Sequence, residues 1–304
     1  MTGTTVPRVV VVSRPTEYAA LLARHGTREQ ARFFLESRGR SIDEAVARHE
    51  EQQGALATIA SGILRSWRRA KVERSDLDRF LFEPADIVVT VGSSGLVANV
   101  AKYLDGQPVV GVNPDPSVHA GIVASHAPLS AVTLIQAAAA GAVETDERSM
   151  VEADLDDGQR LLALNEVFLG HGSHQTARYT LACSGGEERQ ASSGIIVATG
   201  TGATGWARSI SRERRSALEL PSPGESRLAF FVREAWPSST YGTTLTEGII
   251  DAGEELRVTS GLDDGGVVFG DGIEADRLEF RWGITARVRV ARERLHLVTA
   301  VREG

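Results

Sequence analysis

The sequence predicts an N-terminal α/β domain with a parallel sheet, followed by a C-terminal β-rich domain. Three observations predict this. Near the N-terminus, short β-branched runs alternate with helical patterns, as they do in βαβ units. One of these runs ends in a glycine-bearing turn that opens into a helix. From about residue 150 the pattern changes to short strand-like segments separated by Gly, Ser and Asp turns.

The first strand is Arg8-Val9-Val10-Val11-Val12-Ser13, a run of the kind buried in a parallel sheet. A helical stretch follows. Thr27-x-x-Gln30 and Ser41-x-x-Glu44 have capping-box spacing, and Ile42, Val46, Leu56, Ile59 and Ile63 recur at roughly helical intervals. Ala85 to Val91 is a second strand and ends in Gly92-Ser93-Ser94-Gly95; Leu96 to Leu104 reads as helix and Gln107 to Val112 as a third strand. Strand, turn, helix, strand implies parallel pairing. One more helix is expected over Ala131 to Ala142. Ala177 to Leu181, Gly194 to Ala198 and Leu228 to Val232 then read as strands. Arg287 to Val290 and Arg294 to Leu297 alternate with period two, like half-exposed antiparallel strands. Pro221 to Ser226 reads as a surface loop. The expected division is residues 1–130 and 131–283, with 284–304 packing back near the first domain and a ligand cleft between the domains.

Composition excludes several classes. The 304 residues include 33 Lys+Arg and 40 Asp+Glu, a formal charge of −7, with 42% hydrophobic and 24% charged residues, close to the globular average. No run approaches the roughly 18 apolar residues of a membrane span, and the N-terminus lacks a signal-peptide pattern. Cys183 is the single cysteine, which excludes an internal disulfide and a multi-cysteine zinc site and fits a reducing cytosol. A cytoplasmic protein without membrane or nucleic-acid partners is therefore expected. The densest basic cluster, Arg208 to Arg215, contains Glu213 and is too short to offset the net negative charge. His171 and His174 flank a Gly-Ser pair, and His119 and His126 lie in another predicted loop. No spacing matches a zinc template, so the histidines read as solvated loop residues and no metal site is expected.

Three segments carry chemistry. Val91-Gly92-Ser93-Ser94-Gly95, at the end of a parallel strand, presents backbone N–H groups and a positive helix end suited to phosphate, although a bare tight turn has the same pattern. Asn165-Glu166 places an amide beside a carboxylate, able to bind a ribose diol or an adenine edge or simply to sit solvated in a turn. Ser192-Ser193-Gly194 leads through a strand into Thr199-Gly200-Thr201-Gly202-Ala203-Thr204-Gly205-Trp206, where six of eight residues are Gly or Thr. Such a loop admits close backbone approach and supplies hydroxyls, or is merely flexible.

Together these segments resemble the NAD kinase family, and in particular its mitochondrial-type branch. The resemblance extends to Thr16-Glu17-Tyr18, to Ala47-Arg48-His49, to Gly111-Val112-Asn113-Pro114-Asp115-Pro116, to Leu164-Asn165-Glu166-Val167-Phe168 and, weakly, to Gly270-Asp271-Gly272. It implies the family's two-domain fold, with ATP, Mg²⁺ and NAD or NADH as ligands and a homodimer or homotetramer as the assembly. Asn165 and Glu166 would then hold the ribose or adenine. Thr199, Thr201, Gly202, Thr204 and Gly205 would line the dinucleotide site, with Asn113 and Asp271 facing ligand. Trp206 would stack on a base or serve as a core tryptophan. Gly92, Ser93 and Gly95 would cradle phosphate.

The resemblance breaks at one place. NAD kinases carry Gly-Gly-Asp-Gly where this chain has Gly92-Ser93-Ser94-Gly95, so Ser94 stands at the position of the aspartate that accepts the 2′-hydroxyl proton. A serine hydroxyl is no base near neutral pH, and loss of a general base costs about 10²–10⁴ in rate. Ser93 is also expected to restrict a turn that glycine leaves free. Asp115 and Glu166 are the carboxylates available as substitutes; Asp115 equally suits a rigid turn between prolines. The reading is ATP-dependent phosphotransfer to the 2′-hydroxyl of NAD(H) or a related nucleotide, weakened or redirected at Ser94. The alternative is a non-catalytic NAD(P)(H)-binding pseudokinase that senses or regulates, with a phosphatase or hydrolase on the same ligand as a third class.

Overall fold

In the computed structural model, which describes residues 6–115 and 121–302, the chain forms two units, residues 1–146 with 296–304 and residues 147–295. The first unit contains β1 (Arg8–Ser13), α1 (Glu17–His25), α2 (Arg28–Glu36), α3 (Ile42–Gly62), β2 (Arg68–Glu73), β3 (Asp86–Val91), α4 (Ser94–Ala101), β4 (Pro108–Val112) and α5 (Pro128–Ala139). Its strands run β2-β1-β3-β4, all parallel. Every residue of β3 is buried, which is why the sequence there is a nearly unbroken apolar run rather than an alternating one. Val9, Val11, Ile87, Val89 and Val110 pack with Ile59 of α3, with Ile63 just past its end, and with Leu134 and Ile135 of α5.

The helical stretch after β1 is three helices, two of them beginning at the expected capping boxes. Thr16, Thr27 and Ser41 cap them, their hydroxyls accepting the backbone N–H of Ala19, Gln30 and Asp43. The Ser41 bond thus closes one residue earlier than the capping-box spacing expects. Thr16 Oγ1 also lies 2.7 Å from His49 Nδ1, and the Tyr18 ring meets the His49 ring edge-on at 5.4 Å. Two separated stretches of sequence are joined there. β2 escaped the sequence reading because four of its six residues are exposed and show no apolar face. Two helices are shifted from their expected spans: α4 stops at Ala101, and α5 begins at Pro128, in the first turn where proline is favoured.

The second unit contains β5 (Val143–Leu155), which begins in the first, then β6 (Arg160–Ala163), β7 (Glu166–His171), β8 (Ala177–Cys183), β9 (Gly186–Ser192), β10 (Ile195–Ala198), α6 (Trp206–Arg214), β11 (Arg227–Val232), β12 (Glu247–Asp251), β13 (Leu256–Ser260), β14 (Gly266–Gly270), β15 (Ile273–Glu279) and most of β16 (Thr285–Val301). One antiparallel sheet has the order β12-β11-β10-β7-β14-β15. A second antiparallel set runs β9-β8-β13-β16. The two-residue period of a strand sorts the side chains of the first sheet. Val167, Leu169, Ile195 and Val197 join Tyr179, Leu181, Leu256 and Val258 in one core. Phe168, Ile196 and Ala198 face the other way, against Ala207 and Ile210 of α6.

The two C-terminal pieces expected as separate strands are one strand, β16. Its residues His296 and Leu297 pair in parallel with Pro108 and Val109 of β4 in the first unit. His126 is not a solvated loop residue. Its backbone bridges Gly111 and Asn113, and its Nε2 lies 2.8 Å from the carbonyl of Val298. His119 lies outside the described residues. Among the described residues no helix is long and apolar enough to cross a membrane.

One ion pair anchors the start of the first sheet. Asp86 is fully buried, takes both Nε and Nη2 of Arg8 at 2.7 and 2.6 Å, and accepts the N–H of Glu83 at 2.8 Å. The Arg8 guanidinium is held above its ordinary range chiefly by that hydrogen bond. Asp86→Ala leaves the part-buried arginine with only the more exposed Glu83 and the carbonyl of Leu81, and a loss of about 1–3 kcal/mol is expected in urea-induced unfolding.

Candidate functional site

The candidate site in the second unit is built on a two-residue corner. Leu164 and Asn165 connect β6 to β7, which pair with different strands, so the corner has no ladder of its own. Its four backbone groups are nevertheless all paired. The carboxylate of Asp271 accepts the N–H of Leu164 at 3.0 Å and of Asn165 at 2.6 Å. On the other side Thr199 Oγ1 donates to the carbonyl of Leu164 at 2.5 Å, and the Thr199 N–H donates to the carbonyl of Asn165 at 2.9 Å. Asp271 closes the arrangement by donating its own N–H to the carbonyl of Glu166 at 3.0 Å.

Asp271 reaches this position from a tight hairpin. Gly270 pairs with Ile273 across β14 and β15, leaving Asp271 and Gly272 as the loop, at φ 54° and 68°. Positive φ at both loop residues is the hairpin pattern that Asp-Gly favours. Asp271 and Thr199, expected to face ligand, thus have side chains engaged in holding the corner.

The glycines of the Thr199–Gly205 loop have protein neighbours as well. A Cβ at Gly202 would come within 2.1 Å of the Asn165 carbonyl oxygen, and one at Gly200 within 1.9 Å of that of Ser222. The close backbone approach that these glycines permit is therefore to the protein's own chain. Thr199 Oγ1 also accepts the N–H groups of Thr201 and Gly202, and Thr204 Oγ1 donates to the carbonyl of Thr201. The hydroxyl of Thr201 is buried and has no hydrogen-bond partner among the described residues, while Gly205 is exposed.

Asn165 and Glu166 are half-buried on this rigid corner, and neither side chain makes a hydrogen bond with a described residue. Burial, and then the charge of Asp271, push the Glu166 carboxyl up to about 7. A carboxyl poised there, with nothing to stabilise its charge, is a mark of functional sites.

Trp206 opens α6 and is neither a core residue nor a free platform. It is 36% exposed, its ring lies parallel to that of Phe168 with centroids 6.3 Å apart, and the Arg233 guanidinium sits 5.4 Å from its centroid. Together with Phe269, His171 and His174 these residues line a cleft of about 820 Å³ in the second unit. The sequence carried no signal for Arg233, which arrives from the end of a distant strand.

The remaining expected residues lie in the first unit. Ser93 has φ −75° and ψ 164°, ordinary extended backbone, so replacing a glycine there carries no conformational penalty, contrary to expectation. Ser94 is half-buried, and its Oγ accepts the N–H groups of Ile122 and Val123 at 3.1 and 3.3 Å. Gly92 donates to the carbonyl of Val112, which brings the turn after β3 beside Asn113, and Gly95 lies in the first turn of α4. Asn113 is buried and its Oδ1 accepts the N–H of Asp115 at 3.1 Å. Asp115 shares a hydrogen bond with Glu51 of α3, whose carboxyl is raised by desolvation and then by Asp115.

Two outcomes are expected. Glu166 holds its proton more tightly folded than unfolded, so stability falls as pH rises between about 4.5 and 7. Glu166→Gln removes this penalty and unfolds at higher denaturant than the wild type at pH 8, with no advantage at pH 4. Gly202→Ala forces the loop off the Asn165 carbonyl and is expected to lower stability by about 1–3 kcal/mol in thermal unfolding.

No family model matches the chain. Human mitochondrial NAD kinase 2 is 26% identical over 263 residues, covering 70% of this chain and 60% of that protein, so the chain spans about three-fifths of this relative's length. An NAD kinase from Methylococcus capsulatus is 34% identical over 137 residues, 42% of this chain and 46% of the relative. Among solved structures, the crystal structure of an NAD kinase from Archaeoglobus fulgidus in complex with ATP matches with a TM-score of 0.57, covering 96% of this chain and 94% of that one at 17% identity, a likeness of fold. In sequence the chain is similar to the NAD kinases, and in fold it is like one of known structure.

Proposed function

We propose that this chain binds a pyridine dinucleotide on the second unit and transfers the γ-phosphoryl group of ATP to its 2′-hydroxyl. The observation that carries the reading is the corner at Leu164–Asn165. Its backbone is fully paired, yet it presents the unengaged side chains of Asn165 and Glu166, beside a loop whose Thr201 hydroxyl is buried without a partner. Rigid elements bearing unpaired polar groups are what a ribose diol or an adenine edge requires. Asn165 and Glu166 bind ribose or adenine in this reading, Thr201, Thr204 and Gly205 line the site, and the outer edge of Trp206 borders it.

Phosphoryl transfer is mainly positioning and charge stabilisation, so a site without the family's aspartate can retain it. Among the described residues no group of three or more His, Cys, Asp or Glu is arranged to hold a metal ion. Magnesium, if bound with ATP, would supply neutralisation of the triphosphate charge.

One observation favours a second reading, a non-catalytic dinucleotide binder. The Ser94 oxygen serves as a structural acceptor for the loop at Ile122–Val123, a role with no chemistry in it. Incubation with ATP, Mg²⁺ and NAD or NADH, followed by enzymatic cycling for NADP(H), separates the two readings. Product is expected from the wild type, with kcat/KM for the dinucleotide lowered tenfold or more in Asn165→Ala, the loss of one ligand hydrogen bond. Calorimetric binding of NAD with no product at high enzyme concentration establishes the binder. In that event, phosphotransfer gained by Ser94→Asp shows that only the base was missing.

A further inference from the structure

The structure assigns to Glu166 the proton-accepting role that Ser94 cannot fill. This rests on the phosphotransfer reading above and names the residue that makes it workable.

The geometry argues by occupancy. Asp271, the nearest charged group, has both carboxylate oxygens taken by the N–H groups of Leu164 and Asn165. Asp115 is hydrogen-bonded to Glu51, and Ser94 Oγ receives two backbone N–H groups. Glu166 alone among the candidate carboxyls accepts no hydrogen bond from a described residue, and no cation among the described residues lies beside it. Its backbone is nevertheless fixed, since it pairs with Ala198 of β10 and its carbonyl accepts from Asp271. An immobile main chain bearing an unengaged carboxyl is how a protein aims a base.

The surroundings set its proton affinity. The Thr199–Gly205 loop packed on one side of the corner contains no ionisable residue, and β6 adds none between Leu161 and Ala163. From the β14–β15 hairpin, Asp271 alone acts on it. With burial and a like charge both opposing ionisation, the carboxyl titrates at about 7, where a base is most useful at neutral pH.

The 2′-hydroxyl oxygen of the dinucleotide bonds to the γ-phosphorus of the nucleoside triphosphate while its proton passes to a Glu166 carboxylate oxygen. The bond between the γ-phosphorus and the bridging oxygen breaks, and the nucleoside diphosphate leaves with that electron pair. Glu166, half-exposed, then returns the proton to solvent.

The test uses the full chain with ATP, Mg²⁺ and NAD, comparing wild type with Glu166→Gln and Glu166→Asp. Glu166→Gln is expected to lower kcat by about 10²–10⁴, a loss far larger than its effect on NAD affinity by calorimetry. Wild-type kcat is expected to fall below a break near pH 7, and the residual activity of Glu166→Gln to lack that break. Glu166→Asp, which keeps the carboxyl one methylene shorter, should retain the break at reduced kcat, showing that the fold survives substitution. Wild-type turnover with kcat within threefold in Glu166→Gln, or a defect confined to KM, overturns the assignment and leaves phosphotransfer standing. A wild type that binds NAD and forms no product overturns both.

Discussion

The second unit depends on how one sharp corner is paired. Leu164 and Asn165 lie where the chain leaves one set of strands for another, so neither sheet supplies their hydrogen bonds. Asp271 and Thr199 supply them instead, one taking both N–H groups and the other feeding both carbonyls. An unpaired backbone group buried there costs about 1–3 kcal/mol, and four are avoided at once. Three segments far apart in sequence, around residues 165, 199 and 271, are thereby locked together. A Gly-rich loop and an Asp-Gly hairpin that look like ligand loops are first of all struts.

Because the struts carry the backbone, Asn165 and Glu166 have side chains left over for other uses. This division of labour between engaged and unengaged polar groups is what distinguishes a site from an ordinary turn. It also sets the electrostatics. The same Asp271 that pairs the corner places a like charge beside Glu166, and no cation offsets it.

The first unit shows how a catalytic-looking turn changes without structural damage. Ser93 lies in extended backbone that any residue adopts, and Ser94 turns its hydroxyl onto a neighbouring loop. With the strand, the turn and the helix all retained, the chemistry of the turn is free to vary independently of the fold.

The sequence alone was enough for the buried parallel strands β1, β3 and β4, because burial on both faces leaves a short apolar β-branched run, and for the motif resemblance to the NAD kinases. It was enough, too, to single out Asn165, Glu166, the threonine-glycine loop and Asp271, though it could not separate struts from presented groups. That distinction belongs to tertiary structure: which of two carboxyls is engaged depends on which backbone N–H groups fold beside it. Strand β2 and the first half of β5 were hidden for a related reason, since charged residues on solvated faces erase the alternation that marks a strand, and the buried half of β5 carries Arg148 and Glu152. The raised proton affinity of Glu166 and the placing of Arg233 over Trp206 likewise arise from contacts between segments dozens of residues apart. A linear pattern records what each residue prefers, whereas charge, burial and hydrogen-bond vacancy are properties of neighbours that only folding supplies.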